Sequence, residues 1–316
     1  MHHALLTRIG DARVGRRKRV VTAIEGALGA PRTAKAVLVT GASEGIGIEM
    51  ARTFADTGEA LVLIARDATK LSRAANVLEN ELSCPVHTLA MDLTSSDALD
   101  TIDAFIDEHG LQVSVLINNA GAAYAGPVLD QSAEVVEHML RLNMTVPAQL
   151  IHRHLPGMAL RGEGGVVNVS SLGGFYPGPY QSHYYASKAY LTNMSEALGY
   201  EAGGTGVRVL AVAPGPVDTH IHTKMGGDTA YYRLVLPSLT PQRVARDARR
   251  AYALGQRLVV PGIFNRLMAT VGGIVPHSVL LPFLALLLRP QNTIRMGEKA
   301  RNARKALTDT TRSVSP

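Results

Sequence analysis

The sequence predicts an α/β fold, a doubly wound parallel sheet of about seven strands with helices on both faces. Three observations carry that prediction. Short runs of uninterrupted apolar residues recur along the chain, the pattern of strands covered on both sides. Roughly 10–30 helix-compatible residues separate these runs, the length that a crossover between parallel strands requires. The first run passes into a glycine-rich turn before a helix, as happens where a strand and a helix must pack closely.

AVLVT (36–40) is the first strand. TGASEGIG (40–47) makes the turn, and a helix-compatible stretch follows from about 46 to 57. ALVLIA (60–65) is the second strand. Arg66 and Asp67 follow it, and Asp67 has the side chain of a helix N-cap for the charged helix behind it. PVHTLAMD (85–92) and VSVLIN (113–118) are the next strands, with a helix between them. A long helical segment covers 131–160. GVVNVS (165–170), GVRVLAVAP (206–214) and RLVVPG (257–262) complete the sheet. No internal repeat or low-complexity linker divides the chain. One domain is expected at 35–262, between a basic N-terminal extension at 1–34 and an apolar, then basic, C-terminal extension at 263–316 packed on or beside it.

Within that extension, 267–288 holds no Asp, Glu, Lys or Arg. Its length would suit a membrane span, but Gly272, Gly273, Pro276, His277 and Pro282 interrupt it. Helix breaks at Pro276 and Pro282 suit a lid, a dimer contact or an interfacial anchor better.

Composition narrows the function classes. The chain has 316 residues, 46% hydrophobic and 18% charged, in keeping with a globular protein with a large core. The single Cys84 rules out an internal disulfide framework and fits a reducing compartment. Tryptophan is absent and aromatic residues are few, which argues against base-stacking platforms and a nucleic-acid partner. The net charge of +6 belongs to the ends: residues 1–35 carry eight Lys/Arg against two Asp/Glu, and residues 289–316 carry seven against two. The run Arg16, Arg17, Lys18, Arg19 reads as a solvated arm, with anionic lipid or nucleic acid as the alternative contact. The first residues lack the continuous apolar stretch of a secretory signal. A cytoplasmic location is expected, with peripheral membrane contact through the C-terminal segment as its variant.

Two stretches hold the chemistry. Gly41, Gly45 and Gly47 form GxxxGxG between a strand and a helix, where glycines let backbone approach a pyrophosphate and the helix start offers amide donors. At the end of the second strand an acid would bind a ribose 2′-hydroxyl, whereas Arg66 suits a 2′-phosphate, with Lys70 one turn later. NADP(H) is therefore expected over NAD(H). In HYYASKAY (183–190), Tyr184 and Lys188 are the i, i+4 pair that shares a helix face. An ammonium beside a phenol lowers the phenol's pKa, which makes Tyr184 a candidate acid/base. Tyr185 and Tyr190 are left with packing roles. His152 and His154 do not share a face, so no metal site is expected.

TGASEGIG (40–47), NNAG (118–121), Asn143, NVSS (168–171), YYASK (184–188) and PGPVDT (214–219) occur in this order. Together they resemble the short-chain dehydrogenase/reductase family, in its single-domain, Rossmann-type branch, over about residues 35–262. The resemblance implies that Tyr184 exchanges a proton with the substrate oxygen. Lys188 would lower its pKa and hold the nicotinamide ribose. Ser171, preferred over Ser170 for its spacing from Tyr184, would hydrogen-bond the substrate, and Asn143 would help hold a water chain from Lys188 to solvent. Gly41, Ser43, Glu44, Gly45, Ile46 and Gly47 would form the pyrophosphate loop. Asp92 and Leu93 would flank the adenine, Asn119, Ala120 and Gly121 its ribose, and Pro214, Val217 and Thr219 the nicotinamide end. The family also implies a homodimer or homotetramer through the helices around 131–160 and 182–203.

Phe175, Tyr176, Tyr180 and His183 are candidates for a substrate mouth. A segment at about 220–240, with Met225, Tyr231, Tyr232, Leu234 and Leu236, would form a lid. Both are greasy, which suggests a hydrophobic ketone or alcohol, such as a fatty acyl, steroid-like or aromatic compound. The reading is thus an oxidoreductase acting on CH–OH/C=O. The alternative is a non-catalytic NAD(P)-binding or membrane-associated regulatory protein on the same fold.

Overall fold

The computed structural model describes residues 34–55, 59–219 and 237–289. The basic stretch at 1–33, the proposed lid residues Met225 to Leu236 and the basic end from 290 onward lie outside the described residues. Seven parallel strands form one sheet in the order β3-β2-β1-β4-β5-β6-β7. They are β1 (Ala34–Thr40), β2 (Ala60–Ala65), β3 (Val86–Ala90), β4 (Leu111–Asn118), β5 (Gly164–Val169), β6 (Val207–Val212) and β7 (Leu258–Val259). The helices among the described residues are α1 (Gly45–Phe54), α2 (Ala68–Glu81), α3 (Ala98–Glu108), α4 (Ala133–Leu140), α5 (Val146–Arg161), α6 (Ser182–Glu201), α7 (Pro241–Ala253), α8 (Ile263–Ile274) and α9 (His277–Leu288).

Strand alternation builds two cores. Val37 and Val39 of β1, with Leu61 and Leu63 of β2, pack on Met50, Phe54 and Leu71. Ala36, Leu38, Val62 and Ile64 point the other way, onto Ile102, Leu150 and Met158. Neighbouring side chains on a strand face opposite sides, so each strand feeds both layers. This is why the strands read as continuous apolar runs. The order reverses between β1 and β4, and a crevice opens there beyond the strand ends.

The long helical segment expected at 131–160 is α4 and α5 joined by a π-turn, Arg141–Thr145. Asp67 caps α2, accepting a hydrogen bond from the Lys70 amide at 3.0 Å. The expectation for 267–288 is half corrected. The chain breaks at Pro276, the N-cap of α9, but Pro282 lies inside α9. A proline there removes one amide donor from the ladder, while the stripe Leu280, Leu284 and Leu288 still packs inward against Tyr176 and Tyr185. None of the described helices is long and apolar enough to cross a membrane.

Candidate active site

One cavity of about 1330 Å³ lies over the ends of β1, β2, β4, β5 and β6. At one end it is walled by backbone. Thr40 ends β1, and its hydroxyl accepts from the Asn119 and Ala120 amides, both at 3.0 Å. The Asn119 amide group donates to the carbonyls of Thr40 and Gly41, also at 3.0 Å. These bonds lock the tips of β1 and β4 together. Gly41 has φ +65°, and a Cβ there would sit 2.9 Å from the Ala120 Cα. A Cβ on Gly47 would collide with the Gly41 carbonyl oxygen and lie 2.6 Å from the Asn119 amide nitrogen. α1 starts at once, and Glu44 at its N-cap makes no side-chain cap bond. A tight glycine cradle with a helix N-terminus on it fits a dinucleotide pyrophosphate.

Next to the cradle, Arg66 stands exposed at the end of β2, and Lys70 forms an ion pair with Glu44 at 3.0 Å. Asp92 accepts from the Thr94 amide and hydroxyl, both at 2.8 Å. Burial alone would raise its pKa, but those bonds, with His138 and Arg66 nearby, hold it below the usual carboxylate value.

Ser171, Tyr184 and Lys188 meet in the middle of the cavity wall. Ser171 follows β5, and its Oγ accepts from the Gly173 amide at 3.1 Å. Its hydroxyl also hydrogen-bonds that of Tyr184. Ser170 is turned away, with its Oγ donating to the Lys188 carbonyl at 2.9 Å. Lys188 is buried, and its Nζ donates to the Val169 carbonyl at 2.8 Å and lies 5.8 Å from the centroid of the Tyr184 ring.

The electrostatics correct one expectation. Burial pushes the Tyr184 pKa up, only partly opposed by the Ser171 hydrogen bond, whereas the helical pairing with Lys188 predicts a depressed value. The reason is that both groups sit where charge is poorly solvated. Burial lowers Lys188 itself to about 8, and its amine is engaged with the Val169 carbonyl.

Gly41, Ser43, Glu44, Gly45, Ile46, Arg66, Asp92, Leu93, Asn119, Ala120, Gly121, Ser171, Tyr184, Lys188, Pro214, Val217 and Thr219 all line this cavity. Gly47 and Asn143 do not line it. Gly47 supports the cradle from behind. Asn143, buried in the π-turn, accepts from the Ala122 amide at 2.9 Å. It donates to the Ala122 carbonyl at 2.8 Å and to the Ser187 hydroxyl at 3.0 Å. Ser187 in turn donates to the Tyr184 carbonyl at 2.7 Å. The offset turn swings Asn143 toward both the Ala122 loop and α6.

The far wall is mostly apolar. Met268 of α8 and Leu284, Leu287 and Leu288 of α9 close it, with Tyr176, Gln181 and Tyr185. Of the four residues expected at the substrate mouth, Tyr176 lines the cavity, and Phe175, Tyr180 and His183 do not. Tyr180 has φ +66°, and its carbonyl accepts from the Gly126 amide, which fixes this residue to a neighbouring loop. Tyr185 packs over Gly173 and Gly178 as well as facing the cavity. Tyr190, expected on a packing surface, is partly exposed at 38%. The leucines of α9 carry no signal in the sequence beyond their hydrophobicity.

The geometry can be set beside known proteins. A family model described as short chain dehydrogenase matches residues 35–229. A sulfoacetaldehyde reductase of Chromohalobacter salexigens is 37% identical over 201 residues, covering 61% of this chain and 77% of that protein. Among solved structures, a short-chain dehydrogenase from Sphingobium yanoikuyae in complex with NADPH is 32% identical. It superimposes with a TM-score of 0.67, covering 78% of this chain and 95% of that one. The bulky-bulky ketone specific alcohol dehydrogenase from Comamonas testosteroni is 28% identical, with a TM-score of 0.63, covering 77% of this chain and 94% of that one.

Proposed function

The chain belongs to the short-chain dehydrogenase/reductase family, oxidoreductases that act on alcohols and ketones with a nicotinamide cofactor, and from that premise we propose that it is an NADP(H)-dependent reductase of hydrophobic ketones. The observation that carries this reading is the placing of Ser171, Tyr184 and Lys188 between a backbone cradle on one side and a wall of leucines on the other.

In this reading Gly41, Ser43, Gly45 and Ile46 hold the pyrophosphate, and Gly47 lets α1 pack close enough for that. Asp92 and Leu93 flank the adenine, and Asn119, Ala120 and Gly121 lie along the adenine ribose. Pro214, Val217 and Thr219 meet the nicotinamide, which supplies the hydride. Arg66 binds the 2′-phosphate, its charge matched to that of the ligand. Lys70 adds to it to the extent that Glu44 releases it. The neighbour from Sphingobium, in complex with NADPH, supports this choice of cofactor.

Reduction turns a carbonyl into an alkoxide, which needs a proton and a hydrogen-bond donor at the same oxygen. Tyr184 donates the proton, and Ser171 donates the hydrogen bond. Burial keeps the Tyr184 phenol protonated at neutral pH, and the Ser171 hydrogen bond, which opposes the upward shift, eases release of the proton. Lys188, cationic below its value of about 8, holds the nicotinamide ribose, and its charge stabilises the phenolate left when Tyr184 gives up its proton. Asn143 keeps the Ala122 loop against α6 and with it a route for water to Lys188.

The two relatives differ in substrate, a small sulfonated aldehyde for one and a bulky ketone for the other. The apolar side chains Met268, Leu284, Leu287 and Leu288 in the lining support the second kind, since they offer much surface for an apolar body. Half-exposed Val135, Leu160 and Tyr190 on α4, α5 and α6 are consistent with a homodimer or homotetramer through these helices. The test is steady-state kinetics with NADPH and a panel of ketones. Long-chain or aromatic ketones should exceed small polar carbonyls in kcat/KM by about tenfold or more, since each buried methylene contributes about 0.8 kcal/mol. Equal or reversed preference would remove the substrate assignment.

A further inference from the structure

We propose that α8 and α9 form a docking surface for an anionic lipid membrane, which the chain meets from one side without crossing it. Ile263, Leu267 and Ile274 recur at helical spacing along α8 and are 85%, 59% and 76% exposed. Val279, Phe283 and Leu286 form a second stripe on α9, 65%, 57% and 65% exposed. The opposite stripe of α9, Leu280, Leu284 and Leu288, is buried against Tyr176 and Tyr185. A helix that is apolar all round belongs in a core or in lipid. One side of α9 has its core, and the other has no covering among the described residues.

The sequence around the helices indicates what covers it. From 267 to 288 there is no acidic or basic side chain, and residues 289–316, which follow directly, carry seven Lys/Arg against two Asp/Glu. An uncharged apolar surface continued by a cationic segment matches a membrane with acidic headgroups, in which apolar burial and charge attraction add. Each helix spans 12 residues, too short to cross a bilayer. The surface stands independently of the substrate assignment, although the inward face of α9 is also a wall of the cavity.

Flotation of the full chain with vesicles tests this. Vesicles of phosphatidylcholine with phosphatidylserine should carry the protein up the gradient, and pure phosphatidylcholine vesicles or high salt should carry much less. The triple variant Val279→Ser, Phe283→Ser, Leu286→Ser should reduce the floated fraction about tenfold, through lost apolar insertion, with NADPH affinity unchanged as evidence of folding. If that variant does not bind NADPH, the pair Ile263→Ser, Leu267→Ser on α8 takes its place with the same expected loss. Wild-type protein that fails to float with anionic vesicles would overturn the proposal, as would variants that float undiminished. A variant that instead dissociates an oligomer, with no vesicle binding by the wild type, would assign the surface to a second copy.

Discussion

The two ends of the cavity are built in different ways. At the cradle the wall is backbone: Gly41, Gly45 and Gly47 leave no room for a Cβ, which would meet Ala120, Thr219 or the Gly41 carbonyl. At the far end, Met268, Leu284, Leu287 and Leu288 present side chains, and any apolar groups of similar size would build much the same wall. Substitutions at the first end should therefore act as steps, and those at the second should act by degrees. Between them lie Ser171, Tyr184 and Lys188, to which we assign the chemistry and whose removal should then cost most of all.

Tyr184→Phe is the largest expected effect. It keeps the ring against Tyr185 and removes the proton donor. Ketone turnover should fall by about 10²–10⁴, the range for a positioned acid, while NADPH affinity measured by fluorescence titration stays within about threefold. Undiminished turnover would remove Tyr184 from the chemistry.

Gly47→Ala comes next and tests whether the cradle is a step. The new methyl meets backbone and the Asn119 amide, neither of which can retreat without opening the β1–β4 junction. Overpacking of this kind costs about 1–3 kcal/mol. Dinucleotide affinity should fall about 10–100-fold and the Tm should drop with it. A variant with unchanged affinity would mean that the cradle is softer than its contacts imply.

The same contrast explains how much was legible in the sequence. The strands were visible because both faces of each are buried, and the glycines because the turn admits no other residue. Ser171, Tyr184 and Lys188 could be singled out because their residue types and spacing are restricted, and the structure places all three on one cavity wall. The far wall was not legible, since Leu284 and Leu287 are chosen for bulk and α9 has leucines on every side. Pro282 reads as a helix breaker, yet the helix survives because it loses one bond and keeps its buried stripe. The direction of the Tyr184 shift was also out of reach. Pairing at i, i+4 can be read from spacing, but desolvation depends on how the rest of the fold closes around α6.

Arg66→Asp tests the cradle's charge rather than its shape. Replacing a cation near the 2′-phosphate with an anion should reduce the NADPH-over-NADH preference by about 10–100-fold, as expected for charge-assisted bonds of about 1.5–3 kcal/mol. Competitive titration of both nucleotides measures it. An unchanged ratio would shift the preference away from Arg66.

The pH profile should show Lys188. A lysine is cationic below its pKa, so lowering to about 8 means that the charge is lost as pH rises through that value. If the cation holds the ribose, kcat/KM for ketone reduction is level below pH 8 and falls about tenfold per unit well above it. Lys188→Arg, which cannot deprotonate in this range, should lower the plateau and remove the fall near 8. A fall that stays near pH 8 in that variant would belong to another group.

Leu287→Ala should have the smallest effect and probes the graded end. Leu287 faces the cavity and is only partly buried, packed beside the cluster of Leu280, Leu284 and Leu288. Truncation removes contact area without unseating α9, whose inward stripe is carried by the other three leucines. A bulky ketone that uses this wall should lose about threefold to tenfold in kcat/KM, the value of one or two methylene contacts. A small ketone should be unaffected, and the Tyr184 and Lys188 pH behaviour should not move. A loss equal for large and small ketones would mean that α9 shapes the catalytic groups rather than the substrate, and the two ends of the cavity would then be less separate than their construction suggests.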